Sequence, residues 1–107
     1  MRIAFLLISL LAAGPAAAQT FTAAALQSMC SARDAGQVAG CASYIQGYAD
    51  GRNLSQPRPS ICVPAGRTVG DVAHAFSEYV NKNRLEANLP AGLVLGNYLV
   101  TNYPCGG

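Results

Sequence analysis

The sequence predicts an all-α fold, a small four-helix bundle of two antiparallel helical hairpins stapled by two disulfides. Three observations support this prediction. Apolar residues recur at helical spacing in four segments, and no segment shows the alternation of a strand. The four cysteines lie near the predicted helix ends. The start of the chain has the pattern of an export signal, and exported thiols meet an oxidising environment.

The chain begins MRIAFLLISLLAAGPAAAQT, the pattern of a cleaved secretory signal peptide. Arg2 gives a positive start, the run from Ile3 to Ala13 is apolar, and Ala16 to Ala18 form a small-residue cleavage site. A membrane-spanning helix needs about 20 apolar residues, so this run is too short to be one. We therefore expect residues 1–18 to be removed. The expected product is an exported domain over residues 19–107 with no membrane association.

The composition argues against a nucleic-acid-binding protein. The chain has seven Lys and Arg residues and five Asp and Glu residues, and removal of Arg2 with the signal leaves a net charge of +1. These charges are neither numerous nor clustered, whereas nucleic-acid binders show a basic face or stripe.

The first helix is predicted over residues 22–31, where apolar residues recur at every fourth position, Phe21, Ala25 and Met29. Asp34 suits the turn that follows. The second helix is predicted over residues 38–50, and Gly51 is placed to end it. The next stretch, residues 51–60, contains two prolines and no periodicity, which predicts a loop.

Thr68 is a good N-cap for the third helix, and Asp71 three residues later suits a capping interaction. This helix is predicted to extend to about Asn83. After a polar connector, Pro90 is well placed in the first turn of the fourth helix. The apolar stripe of that helix follows the i, i+3, i+4 pattern: Ala91, Val94, Leu95, Tyr98 and Leu99.

The four cysteines, Cys30, Cys41, Cys62 and Cys105, allow three disulfide pairings, among which the cysteine positions alone do not choose. The helix pattern narrows the choice. Cys30 closes the first helix and Cys41 lies in the first turn of the second, so both are at one end of a hairpin. Cys62 precedes the third helix and Cys105 follows the fourth, again at one end. We predict the pairs Cys30–Cys41 and Cys62–Cys105. A redox or zinc role is disfavoured, because no Cys-x-x-Cys is present and only one histidine exists.

No constellation in the sequence indicates catalysis, and we predict no cofactor or metal. His74 lies between Asp71 and Glu78 at helical spacing, but on the side opposite the apolar stripe, which is typical of a solvated face with weak ion pairs. There is no Gly-x-Ser-x-Gly elbow and no phosphate-binding loop. The sequence therefore favours a binding protein over an enzyme.

Two polar connectors and one helix face are the candidate binding surfaces. Loops on a rigid scaffold are common recognition sites, and the connectors supply six candidates for contact with a partner: Arg52, Asn53, Arg58, Lys82, Arg84 and Glu86. A second apolar row on the fourth helix consists of Leu93, Gly96 and Val100. Such a row is either central in its own bundle or buried in a homodimer.

Four segments, taken in order, resemble the Rap/Tai family of type VI secretion immunity proteins: "LQSMC", "GCASYIQGYADG", "ICVPAGRTVGDVAHAFSEYV" and "LPAGLVLGNYLVTNYPC". The resemblance covers residues 26–105. It implies a helical periplasmic protein, often a homodimer, that binds a peptidoglycan-cleaving amidase toxin and occludes its cleft. The alternatives are a periplasmic acid-stress chaperone, disfavoured because only five acidic side chains are present, and a structural envelope protein with no toxin partner.

Overall fold

A computed structural model describes residues 20–106, in which four α-helices follow one another. They are α1 (Ala23–Cys30), α2 (Ala35–Leu54), α3 (Val69–Lys82) and α4 (Ala91–Asn102), with a 3-10 turn, Arg84–Glu86, between the last two. The described range contains no named strand, so the all-α prediction is confirmed. The predicted signal peptide over residues 1–18 lies outside the described residues.

Side-chain caps begin the first and third helices, and the predicted cap at Thr68 is confirmed. The Thr22 hydroxyl accepts a hydrogen bond from the Ala25 N–H at 3.2 Å. At the start of α3, the Asp71 N–H donates to the Thr68 hydroxyl and the Thr68 N–H donates to the Asp71 carboxylate, both at 3.0 Å. This reciprocal capping box satisfies two helix-terminal N–H groups that would otherwise lack partners.

The second helix is longer than predicted, and the prediction that Gly51 ends it is wrong. It begins at Ala35, because the Asp34 carboxylate accepts from the Gln37 N–H at 3.2 Å, and it ends at Leu54. A glycine inside a helix costs about 1 kcal/mol relative to alanine, which two contacts made beyond it offset. Arg52 bonds Tyr48, and Asn53 bonds the chain that returns toward α3. Arg52 and Asn53 therefore lie on a helix and not on a loop.

The fourth helix begins one residue later than predicted, because Pro90 is its N-cap and not part of its first turn. Pro90 has extended backbone and forms an isolated antiparallel bridge with Thr22. The Ala91 N–H donates to the Phe21 carbonyl at 2.8 Å, and the Ala23 N–H donates to the Leu89 carbonyl at 2.9 Å. The beginnings of α1 and α4 are thereby joined through their backbones.

The short helix α1 packs against α2, α3 and α4. A helix of eight residues is marginal in water by itself, so this packing must stabilise it. Ala23 and Leu26 are fully buried. The other large fully buried apolar side chains come mainly from α3 and α4: Val72, Phe76, Val80, Val94, Leu95 and Leu99. Burial of each Val, Leu or Phe contributes about 1.5–3 kcal/mol.

Aromatic side chains join α3 to α4. The ring centroid of Tyr98 lies 5.5 Å from that of Phe76 and 5.1 Å from that of Tyr79. Tyr103, after the end of α4, extends the group at 6.3 Å from Tyr98. Burial, with Tyr103 as the next cause, raises the pKa of Tyr98 to about 12. This hydroxyl therefore stays neutral at physiological pH.

Both predicted disulfides are present. Cys30 is bonded to Cys41 and Cys62 to Cys105, with Cα–Cα distances of 5.1 and 4.8 Å. The second disulfide is reinforced by the backbone, since the Cys62 N–H donates to the Tyr103 carbonyl at 2.8 Å. The C-terminal cysteine thus ties the end of α4 to the segment that precedes α3. None of the helices within residues 20–106 combines the length and apolar character that a membrane span requires.

Candidate partner-binding surfaces

The six predicted partner-binding residues fall into two groups in the structure. Arg52, Asn53 and Arg58 lie at or after the end of α2, where residues 55–68 form the first connector. Lys82, Arg84 and Glu86 lie at the end of α3 and in the second connector, residues 83–90. Between these two groups the described residues form no hydrogen bond or ion pair. The six residues therefore belong to two segments of the chain, which are described in turn.

Arg52 contributes less free surface than the sequence predicts, because it packs onto α4. Its Nη1 donates to the Tyr48 hydroxyl at 3.1 Å. A Cβ added to Gly96 would lie 2.9 Å from that Nη1 and would clash with the Tyr48 hydroxyl. A larger residue at this position would displace the ends of the Tyr48 and Arg52 side chains, so Gly96 lets both pack against α4.

The predicted dimer row is consequently interrupted. Gly96 is buried beneath the same chain, and Val100 is partly buried against the core. Leu93 is 52% exposed and alone in the row presents a large free surface. Two further exposed apolar side chains, Phe21 and Leu89, lie on the two segments that meet at the start of α4. We call Phe21, Leu89 and Leu93 the α4 patch.

The Asn53 side chain hydrogen-bonds the backbone of the first connector. Its side-chain oxygen accepts from the Ser60 N–H at 3.0 Å and from the Ile61 N–H at 3.1 Å, and its Nδ2 donates to the Ile61 carbonyl at 2.8 Å. All three bonds hold the returning chain, so its amide already has partners within the fold. Residues 54–59 are all exposed, and they include Arg58 and the 87%-exposed Leu54.

The rest of the first connector makes one tight turn. The Arg67 N–H donates to the Pro64 carbonyl at 3.1 Å, and Gly66 has φ +90°. This left-handed backbone favours glycine. A cleft of about 340 Å³ is lined by this turn, by α2 and by the start of α3, with mostly apolar walls: Ala49, Val63, Pro64, Ala65, Val69 and Val72. Gln46 and Arg67 are its polar lining residues.

Most residues of the second connector form hydrogen bonds to α1, to α3 or to one another. Arg84 Nη1 donates to the Gln27 side-chain oxygen on α1 at 3.2 Å. The Tyr79 hydroxyl donates to the Glu86 carboxylate, and this bond is the main cause that raises the pKa of Tyr79. Ala87 is buried, and its carbonyl accepts from the Ala24 N–H at 2.8 Å. Lys82 is exposed at the end of α3.

Leu85 lies between the fastened residues Arg84 and Glu86 and is 97% exposed. Sequence reasoning missed it as a candidate. The available signal was weak, because it consisted of a single leucine within the polar stretch NKNRLEAN, out of phase with the apolar stripe of α4.

The side chains with catalytic potential are engaged in ordinary helix contacts. His74 Nε2 lies 3.2 Å from Glu78 Oε1, and both side chains are more than half exposed. The backbone and hydroxyl of Thr68 hydrogen-bond the Asp71 carboxylate and lower its pKa. Among residues 20–106, no group of three His, Cys, Asp or Glu side chains is arranged to hold a metal ion.

Comparison with known proteins gives one match. The profile of the Rap1a immunity proteins matches residues 22–105. No curated protein and no solved structure matches the chain. The matched residues include all four helices and both disulfides, and the chain belongs to the family of Rap1a immunity proteins.

Proposed function

We propose that this protein is a periplasmic immunity protein that binds a peptidoglycan amidase delivered by type VI secretion and occludes its active-site cleft. The family match over residues 22–105 carries the proposal, because membership indicates an immunity function. The amidase as target and the periplasm as location rest on the sequence motifs and on the export-signal pattern of residues 1–18. The protein acts by binding and has no catalytic step of its own.

Two features of the fold support an inhibitory role. Two disulfides and a continuous core stiffen the bundle, and a preorganised surface loses little entropy when it binds. The exposed residues of the two connectors are then available to a partner on fixed supports: Arg58 in the first, and Lys82 and Arg84 at the second. Asn53 and Glu86 act in this scheme by fixing the connectors.

The proposal is tested by protection and by co-purification. Cells that express the amidase effector in the periplasm should survive when they also produce the full chain, and the two proteins should purify as a complex. The matched control is the same chain without residues 2–18, which should fail to protect because it is not exported. A full chain that neither protects nor binds any cell-wall amidase would refute the proposal.

We also propose that the protein forms a homodimer through the α4 patch. Phe21 and Leu89 lie on backbone segments that pair at the start of α4, and Leu93 lies in the first turn of that helix. Exposed apolar side chains grouped in this way mark protein contacts, and Leu93 is the most exposed of the three. Leu93→Asp should convert dimers to monomers in light scattering coupled to gel filtration. Leu54→Asp, at a more exposed leucine outside the patch, is the control. A Leu93→Asp variant that remains dimeric would place the interface elsewhere.

A further inference from the structure

Leu85 is the most exposed large apolar side chain in the described chain, at 97%. Exposed leucines are common on protein surfaces and by themselves indicate nothing. This one is unusual in its support, because the residues on both sides of it are fastened to other elements of the fold.

On the N-terminal side, Arg84 Nη1 donates to the Gln27 oxygen of α1 at 3.2 Å. On the C-terminal side, Glu86 accepts from the Tyr79 hydroxyl of α3, and buried Ala87 accepts a backbone bond from Ala24. The Glu86 N–H also donates to the Asn83 carbonyl at 3.0 Å, which closes the 3-10 turn. Leu85 therefore projects from a backbone that is already ordered. A partner that buries Leu85 loses little binding free energy to the ordering of this loop.

The charges around Leu85 are predominantly positive. Lys82 and Arg84 are exposed, whereas Glu86 is partly buried and directs its carboxylate onto Tyr79. Within residues 20–106, Lys82 forms no ion pair. A partner surface that matches this one has an apolar pocket with acidic groups at its rim, because complementary charges stabilise and steer association.

We propose that Leu85 is the anchor by which this protein binds its target, inserting into an apolar pocket with an acidic rim on the amidase. This inference rests on the proposed function and adds to it the contact residue and the chemistry of the partner surface. Buried side chains at the centre of an interface, surrounded by a polar rim, supply most of the binding energy.

Two other occupants fit the surroundings of Leu85 less well. A two-fold contact between copies of this chain centred on Leu85 would place Lys82 and Arg84 next to their own counterparts, since such a contact uses the same surface twice. A lipid surface is also a poor match. One leucine buries far less apolar area than a myristoyl chain, which by itself gives only marginal membrane binding.

The experiment compares Leu85→Ala with Leu54→Ala, a nearly equally exposed leucine at the end of α2. The probe is the purified amidase from the co-purification above, and the readout is Kd by calorimetry. We expect Leu85→Ala to raise Kd by at least about 10-fold and Leu54→Ala to change it by less than about 2-fold. Lys82→Glu should lower the association rate and reduce its dependence on salt.

Thermal unfolding and light scattering accompany each variant. Because Leu85 is almost fully exposed, Leu85→Ala should leave the melting temperature and the oligomeric state unchanged. The inference is overturned if wild type binds the amidase and Leu85→Ala binds equally well, if both leucine variants weaken binding equally, or if Leu85→Ala dissociates a dimer. If wild-type protein binds no amidase, the proposed function fails first and this inference fails with it.

Discussion

The two connectors on either side of α3 are held in different ways. The first, residues 55–68, is fixed at its middle by the Asn53 side chain and the Cys62–Cys105 disulfide, while residues 54–59 are exposed. The second, residues 83–90, is fixed along its length by a 3-10 turn, backbone bonds to α1 and two side-chain bonds. Because contacts hold the second connector along its whole length, it can present a single side chain in a defined direction. The first connector is held mainly at its middle, so its exposed residues are less constrained.

The largest expected loss of stability comes from removing the disulfide that holds the first connector. Cys62→Ser with Cys105→Ser should lower the free energy of unfolding by up to roughly 4 kcal/mol, because the disulfide closes a loop with a sequence separation of 43. The matched control is Cys30→Ser with Cys41→Ser. The disulfide that it removes spans a sequence separation of only 11, so its loss should lower the free energy of unfolding by about 3 kcal/mol. Urea unfolding measures both. A smaller loss for the longer loop would contradict the loop-entropy argument.

The next largest loss of stability comes from removing the Asn53 side chain, whose hydrogen bonds clamp the same connector to the end of α2. Asn53→Ala breaks three partly buried hydrogen bonds, each worth about 0.5–1.5 kcal/mol net, so we expect a loss of about 2–3 kcal/mol by urea unfolding. Asn97→Ala, at an exposed position of α4, should stay within about 0.5 kcal/mol of wild type. Equal effects at the two asparagines would mean that the clamp contributes nothing to stability.

The second connector should respond less to the loss of one bond, because its support is distributed. Tyr79→Phe removes the hydroxyl that donates to Glu86 and should cost about 1 kcal/mol in the free energy of unfolding. Amide hydrogen exchange at Leu85 and Glu86 should rise only slightly in this variant. A loss as large as that of Asn53→Ala would show that the second connector also depends on a single clamp.

Alkaline pH should lower the free energy of unfolding through Tyr98, which lies in the aromatic contact between α3 and α4. The expected loss is similar to that of Tyr79→Phe or smaller. The pKa of Tyr98 is raised from 10.0 to about 12, so the folded state binds more protons than the unfolded state in that interval. The resulting contribution to stability is fully present below pH 10 and is lost as pH rises toward 12, about 1 kcal/mol by pH 11. Urea unfolding at pH 9 and pH 11 measures the change. Tyr98→Phe should reduce the difference between them, and an undiminished difference would assign the effect to other groups.

The features that sequence reasoning predicted correctly are local or covalent. Thr68 caps its helix through a residue three positions away, and the cysteine pairs follow from the placement of helix ends. These signals lie within a few residues or depend on the helix order alone.

The features that it missed depend on contacts between distant segments. Gly51 is a reasonable helix terminator by its conformational freedom, but the helix continues to the residues that reach Gly96 and Ile61. The burial of Gly96 depends on Tyr48 and Arg52, which are more than 40 residues away in the chain. The two neighbours of the exposed Leu85, Arg84 and Glu86, are hydrogen-bonded to Gln27 and Tyr79 on two other helices. No local pattern encodes these contacts.

The backbone pairing of Thr22 with Pro90 also determines the order in which the molecule is able to assemble. Among residues 20–106, α1 is the earliest helix and packs against the other three, yet the segment that pairs with its start lies near the C-terminal end. While the ribosome is still adding the middle of the chain, the early residues have no completed site to enter. We therefore expect the core to close in a single late step, once α4 has joined α1.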